Sequence, residues 1–310
     1  MFEKIIEKIE KANTIIIHRH SKPDGDALGS QIGLYHLISE NYPDKKLYKV
    51  GDEAGRYAFM EGSVMDVVDD SVYETALAIV LDTSAKHLIS DTRYETAKDT
   101  ARLDHHIFVE KICDGEVTDT SYESCCGLIT ELAIEARWVI NSQAAKALYT
   151  GMVTDSGRFR YDSTSSNTHR LASKLMETPF ETNSIYLNLY QDDFKFIKLR
   201  AQFILKIQFA KNGIAYIYTD KAETDSYGVD TFTISRGMVN TMGDIRGIHT
   251  WVNFTETEDG VLTEIRSNKY NINPIAVKYG GGGHQKASGA CLKDQGEAML
   301  MLADLEALEG

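Results

Sequence analysis

The stretch "TIIIHRHSKPDGDALGSQIGLYHLISEN" (14–41) passes from a β-branched run, through a loop dense in histidine and aspartate, into apolar residues at helical spacing. Thr14 to Ile17 carry branched side chains that suit a pleated, buried strand. Pro23 disfavours helix at Lys22, and Gly25 eases a turn between Asp24 and Asp26. From Ala27 the apolar period is that of a helix over 27–41. Its N-terminal amides would favour an anion. The same alternation continues downstream: "KLYKV" (46–50), "ALAIVLDT" (76–83) and "ARLDHH" (101–106) read as strands, and "SCCGLITELAIEA" (124–136) and "SQAAKALYTGMVTD" (142–155) as helices. Strands alternating with helices predict an α/β fold with a doubly wound, mainly parallel sheet. Such sheets bind ligands beyond the carboxyl ends of their strands. The opening "MFEKIIEKIEKANTIII" (1–17) carries charges within its apolar pattern and reads as an amphipathic helix leading into the first strand, not as a signal peptide.

The character changes after about residue 187. "YLNLYQDDFKFIKLRAQFILKIQFA" (186–210) reads as one long amphipathic helix with a charged middle. Strand patterns follow in "IAYIYTD" (214–220), "IHTWVNFTE" (248–256) and "VLTEIRSN" (261–268), then the Gly-rich "YGGGGHQKASGA" (279–290) and a last helix, "GEAMLMLADLEAL" (296–308). The expected organisation is a first domain over 1–187, a helical linker over 188–204 and a smaller α+β domain over 205–310.

No run of 18 apolar residues occurs, so no membrane helix is expected and the protein is read as cytoplasmic. The net charge of −13 repels long polyanions, which argues against a partner such as duplex DNA and favours a short anionic ligand met by a local, cation-containing site. The four cysteines, Cys113, Cys125, Cys126 and Cys291, have no C-x-x-C spacing and are read as buried thiols rather than zinc ligands.

Chemistry gathers where the strands end. His18 and His20 follow the first strand, Asp82 ends the third, Asp104, His105 and His106 end the fourth, and Asp155 closes the helix from 142 before "DSGRF". Any one of these is unremarkable, since Asp in a turn and His at a surface are common. Four segments delivering carboxylate or imidazole to one edge of one sheet are not. Oxygen and nitrogen donors without sulfur suit Mn²⁺ or Mg²⁺ better than structural zinc. Such a set is large enough for two ions, the usual device for phosphoester hydrolysis.

"HSKPDGDALGS", "VLDTS", "LDHH" and "TDSGRF", in that order, resemble the motifs of DHH-family phosphoesterases, and "IRSN" with "GGGGHQKASGA" resembles the DHH-associated domain. The likeness spans nearly the whole chain. It is greatest to the nano-RNase A subfamily (oligoribonucleases and pAp phosphatases) and its linear-dinucleotide phosphodiesterase relatives. It implies two Mn²⁺ ions, with Mg²⁺ or Co²⁺ as substitutes. His20, Asp24 and Asp82 would hold one, and Asp26, Asp82, His105 and Asp155 the other. His106 would meet the scissile phosphate and Asp104 would support both histidines, while His18 falls outside the family spacing. Ser156 stands where many relatives have Thr. The implied activity is cleavage of pApA and very short, 5′-phosphorylated RNA to mononucleotides, linked to cyclic di-AMP turnover, together with dephosphorylation of 3′-phosphoadenosine 5′-phosphate. Substrate contacts would come from Arg266, Asn268, Gly281, Gly282, Gly283 and His284, and from Arg158. A family II-type inorganic pyrophosphatase shares the metal motifs but not the Gly-rich one. A silent nucleotide sensor is a third reading, which the filled motif positions disfavour. A homodimer is compatible with the sequence.

Overall fold

The structure, a computed structural model, describes residues 1–309. The chain divides into two units, Met1–Gln191 and Asp192–Gly310.

In the first unit the branched run forms β1 (Thr14–His18), preceded by helix α1 (Glu3–Lys11) and followed by α2 (Gly25–Asn41) and β2 (Lys46–Lys49). The short helix α3 (Asp70–Tyr73) leads into β3 (Leu77–Leu81), and β4 (Asp99–Asp104) and β5 (Gly115–Thr118) complete the strands. Helices α4 (Cys125–Glu135), α5 (Ser142–Asp155), α6 (Ser166–Met176) and α7 (Thr182–Tyr190) follow. The five strands run parallel in the order β2-β1-β3-β4-β5. Alternate residues serve the two faces. Ile15, Ile17, Leu77, Ile79 and Leu81 enter the main core with α2, α4 and α5. Ile16 packs with Tyr73, and Ala78 and Val80 with Tyr94, on the other face. The order reverses between β1 and β3, so the crevice beyond their carboxyl ends is the switch point where open parallel sheets bind ligands.

Helices α2 and α5 lie unusually close, because Gly25, Gly29 and Gly33 line one face of α2. A Cβ on Gly29 would stand 2.7 Å from the Ala147 carbonyl oxygen of α5, and one on Gly151 of α5 would stand 3.1 Å from Asp26 Cα of α2. Gly25 is therefore not the turn residue the sequence suggests. It is the first residue of α2, and a Cβ there would meet Thr154 Oγ1 at 2.5 Å. The bend precedes it, at Lys22, whose φ is +51°.

The second unit comprises α8 (Phe194–Leu205), β6 (Gln208–Phe209), β7 (Ile214–Thr219), α9 (Lys221–Ser226), α10 (Thr231–Met238), β8 (Thr250–Thr257), β9 (Gly260–Ser267), α11 (Asn273–Lys278), β10 (Gly282–His284), β11 (Ala287–Leu292) and α12 (Gln295–Glu309). Its sheet, ordered β10-β11-β9-β8-β7-β6, is mixed, with β7 and β8 parallel and the other pairs antiparallel. Val252, Phe254 and Ile265 pack with Met301 and Leu305 of α12 on one face, and Ala215 and Ile217 pack with Phe203 and Met238 on the other. The continuous helix expected over 186–210 is broken. α7 stops at Tyr190, Gln191 is extended, and α8 starts after Asp193. Adjacent aspartates are poor helix formers and suit a helix start, and residues 208–209 leave the helix to pair with β7. Cys113, Cys125 and Cys126 are buried as expected, but Cys291 is exposed on β11. Among the described residues no helix is long and apolar enough to cross a membrane.

Gly29→Ala should destabilise the first unit by about 1–3 kcal/mol, because the methyl group meets backbone that cannot yield without parting α2 from α5. A lowered urea midpoint checks this; an unchanged one refutes the close approach.

Candidate metal centre

His20 and Asp24 reach the switch point from the β1–α2 connection, Asp26 from the first turn of α2, Asp82 from the end of β3, Asp104 to His106 from the end of β4, and Asp155 from the end of α5. Three groups of donor atoms form, each within 4.8 Å: His20, Asp24 and Asp82; Asp26, His105 and Asp155; and Asp82, His105 and His106. Asp82 joins them. Its Oδ2 lies 3.5 Å from His20 Nε2, and its Oδ1 lies 3.5 Å from His105 Nε2 and 3.6 Å from His106 Nδ1. His105 Nε2 is also 3.7 Å from Asp26 Oδ2 and 3.5 Å from Asp155 Oδ2, and His20 Nε2 is 3.8 Å from Asp24 Oδ1.

These separations are long for hydrogen bonds. Two ligand atoms each about 2.1 Å from one ion lie about 3.0 Å apart at right angles and about 3.4 Å apart at tetrahedral angles. The buried Asp82 Oδ1 makes no hydrogen bond among the described residues. A buried carboxylate oxygen without a donor, surrounded by imidazole nitrogens and other carboxylates, fits a divalent cation.

The imidazoles are held ready by carbonyl groups. A carbonyl only accepts, so His20 Nδ1, 2.8 Å from Ser21 O, and His105 Nδ1, 3.3 Å from Tyr122 O, each carry a proton. That leaves both Nε2 atoms for the cluster, the arrangement usual in metal-binding histidines. Asp104 supports only His106, not His105 as the sequence suggests. Its Oδ1 accepts from His106 Nδ1 at 2.8 Å. His18 lies outside the cluster. It is buried between Tyr73 and Tyr94, donates Nδ1–H to Asp91 O at 3.2 Å, and is lowered by burial to about 4.

Backbone geometry contributes as well. Asp82 adopts a left-handed φ of +50°, uncommon for a residue bearing a side chain. Asp24 caps α2, with Oδ1 accepting from the amides of Asp26 and Ala27, so its own carboxylate occupies the helix end that the sequence offered to an external anion. Asp26 accepts from the amides of Cys125 and Cys126 at 2.7 and 2.9 Å, at the start of α4.

Electrostatics show what the cluster lacks. Burial and the charges of Asp82 and Asp155 push Asp26 well up, and burial carries Asp155 up to about 7. Burial works against charged His20 and His105, yet the carboxylates raise each to about 10. Burial likewise opposes ionised Asp82, but His105 and His20 hold it below the usual carboxylate range. Negative charge is in excess and is balanced by protons. A divalent cation displaces those protons and meets the same charge.

The remaining sequence-selected residues lie in two places. Arg158 is in the first unit, just after Asp155. The rest are in the second unit. Arg266 pairs with Glu264 at 3.0 Å and donates to Ile265 O at 2.9 Å. Asn268 donates to Ile248 O at 3.3 Å. Gly281 and Gly283 serve the β10–β11 hairpin, where a Cβ would meet Gly289 O at 2.1 Å and Ala287 O at 2.6 Å. Gly282 faces open space and the His284 side chain is exposed.

Residues 14–152 match the DHH family N-terminal domain and residues 227–309 match the DHHA1 domain. The chain is 36% identical over 311 residues to the bifunctional oligoribonuclease and PAP phosphatase NrnA of Bacillus subtilis (strain 168), spanning 99% of this chain and 98% of that one. The chain belongs to the DHH family. Its likeness to the probable bifunctional oligoribonuclease and PAP phosphatase NrnA of Streptococcus mutans is 35% over 290 residues, 93% of each chain. Among solved structures, an exopolyphosphatase-related protein from Bacteroides fragilis superposes with a TM-score of 0.87 at 25% identity, covering 99% of this DHH chain and 96% of that one.

Asp82→Asn should lose more bound divalent metal than Asp24→Asn, because buried Asp82 belongs to two of the donor groups while Asp24 is exposed and belongs to one. Elemental analysis of the two dialysed variants checks this; equal metal retention contradicts the central place of Asp82.

Proposed function

We propose that this DHH-family chain is a metal-dependent phosphoric ester hydrolase that cleaves linear dinucleotides such as pApA and very short oligoribonucleotides to mononucleotides, and dephosphorylates 3′-phosphoadenosine 5′-phosphate. The observation that carries the reading is the buried, hydrogen-bond-free Asp82 Oδ1 amid imidazoles and carboxylates at the switch point. The full-length relatives named as oligoribonucleases and PAP phosphatases supply the substrate class.

His20, Asp24 and Asp82 would hold one ion, and Asp26, Asp82, His105 and Asp155 a second; Mn²⁺ suits this oxygen–imidazole set. Such ions lower the pKa of water and neutralise charge on phosphoryl oxygens. The protein's own part is positional and protonic. Tyr122 O and Ser21 O fix the orientations of His105 and His20. Asp104 raises His106 and holds its Nδ1 proton, leaving Nε2 as the free nitrogen. Charged His106 meets a phosphoryl oxygen and supplies a proton to the departing oxygen. In the second unit, Arg266, Asn268, Gly281, Gly282, Gly283 and His284 are the proposed substrate contacts, with the exposed His284 foremost.

Hydrolysis should fall steeply as 5′-phosphorylated RNA lengthens from two to about ten nucleotides, since the acidic chain repels an extended backbone. A length series measured at constant ionic strength tests this, and equal rates on a dinucleotide and a long RNA refute it. His106→Ala should slow both pApA and the small diester bis-p-nitrophenyl phosphate. His284→Ala should chiefly raise KM for pApA, because it removes binding rather than chemistry. Loss of the small diester in folded, metal-replete His284→Ala protein contradicts this division.

A further inference from the structure

The turn that follows Asp155 has an unusual backbone. Gly157, Arg158 and Phe159 are all left-handed, with φ of +56°, +65° and +61°. Side-chain-bearing residues rarely adopt this conformation, and two in succession need support from their surroundings. The support is visible. Arg158 N donates to Val153 O at 2.8 Å, and Phe159 N donates to Ser156 Oγ at 2.9 Å. The Phe159 ring is anchored between Tyr149, at 5.9 Å, and His169, at 5.5 Å. Gly157 lies under the Tyr161 ring, which a Cβ would approach to 2.4 Å.

The turn brings Arg158 to the surface against an aromatic face. Its guanidinium carbon sits 4.6 Å from the centroid of Tyr190, the last residue of α7, and Tyr190 stacks on Tyr186 at 6.1 Å. Arg93, Arg170 and Arg200 each pair with a carboxylate. Exposed Arg158 has no carboxylate partner among the described residues, although the chain has 46 acidic residues against 33 basic ones. A guanidinium lying on a ring keeps its edge N–H groups free and loses little freedom on meeting a planar anion. The stack is also near the metal cluster. Arg158 is three residues from Asp155. Its amide hydrogen bond to Val153 O ties it to the last turn of α5, which ends at Asp155. Tyr57 carries Arg56 over its ring at 4.8 Å.

We propose that Arg158, held over the ring of Tyr190, is a specificity-determining residue that binds a second, uncleaved phosphate of a nucleotide whose scissile phosphate lies at the metal cluster. Tyr190 is its positioning residue. The inference rests on the proposed hydrolase function and deepens it, because it explains how one site selects nucleotides bearing an additional terminal phosphate.

The test compares two dinucleotides with the same scissile bond, pApA and ApA, in the metal-loaded enzyme. The kcat/KM ratio of pApA over ApA should be high in the wild type and fall by about tenfold or more in Arg158→Ala, mainly through KM, as expected for a charged bidentate contact. Arg158→Lys should restore little of it, since an ammonium has no planar fork. Tyr190→Leu should lower the ratio by about threefold, and Tyr190→Phe, which keeps the ring face, should restore it. An unchanged ratio in Arg158→Ala overturns the proposal, as does a Tyr190→Phe variant no better than Tyr190→Leu. If the wild type cleaves neither dinucleotide, the hydrolase reading fails. Calorimetric binding of adenosine 5′-monophosphate against adenosine then reads the subsite alone. A preference for the phosphate that Arg158→Ala abolishes supports it, and equal binding in both proteins rejects it.

Discussion

Several carboxylates crowd into one largely buried crevice, and charge of one sign cannot be buried without counter-charge. Asp82 and Asp26 are buried, and Asp155 is partly so. Amides at the start of α4 meet Asp26, and His20 and His105 meet Asp82. Even so, Asp82 Oδ1 has no hydrogen bond and Asp155 rises to about 7. The arrangement makes physical sense as a receptacle for divalent cations, and the surrounding fold serves to hold it together.

That service can be traced element by element. The parallel sheet reverses its order between β1 and β3, which puts the loops bearing His20 and Asp82 side by side. The glycines of α2 let it lie against α5, so that Asp26 at the start of one helix and Asp155 at the end of the other face a single imidazole, His105. A left-handed residue at Asp82 turns its carboxylate toward both sides of the cluster. Each device sacrifices local preference for position, as is common where strain gathers at functional sites.

Much of this was legible in the sequence. The β-branched runs and helical periods gave β1, β3, α2 and α5 within a few residues, and aspartate and histidine at strand ends pointed to the cluster. Other features were not legible, because they depend on partners distant in the chain. Nothing near Asp26 shows that the amides of Cys125 and Cys126 cap it. Nothing near His105 shows that the Tyr122 carbonyl sets its ring. The break at Asp192 and Asp193 was hidden by an apolar period that runs on through 186–210. The role of Gly25 is masked by "PDGD", a good turn sequence, although glycines at 25, 29 and 33 are a sign of close helix packing. In the second unit, Gly281 and Gly283 proved to serve the hairpin backbone.

The central claim is that the cluster holds divalent cations and that hydrolysis depends on them. The most direct measurement titrates chelator-stripped protein with Mn²⁺ while following both ion binding by calorimetry and pApA hydrolysis. No turnover is expected in chelator, and the rate should saturate at about two ions per chain. Undiminished hydrolysis in excess chelator, by protein that elemental analysis shows to be metal-free, would contradict it.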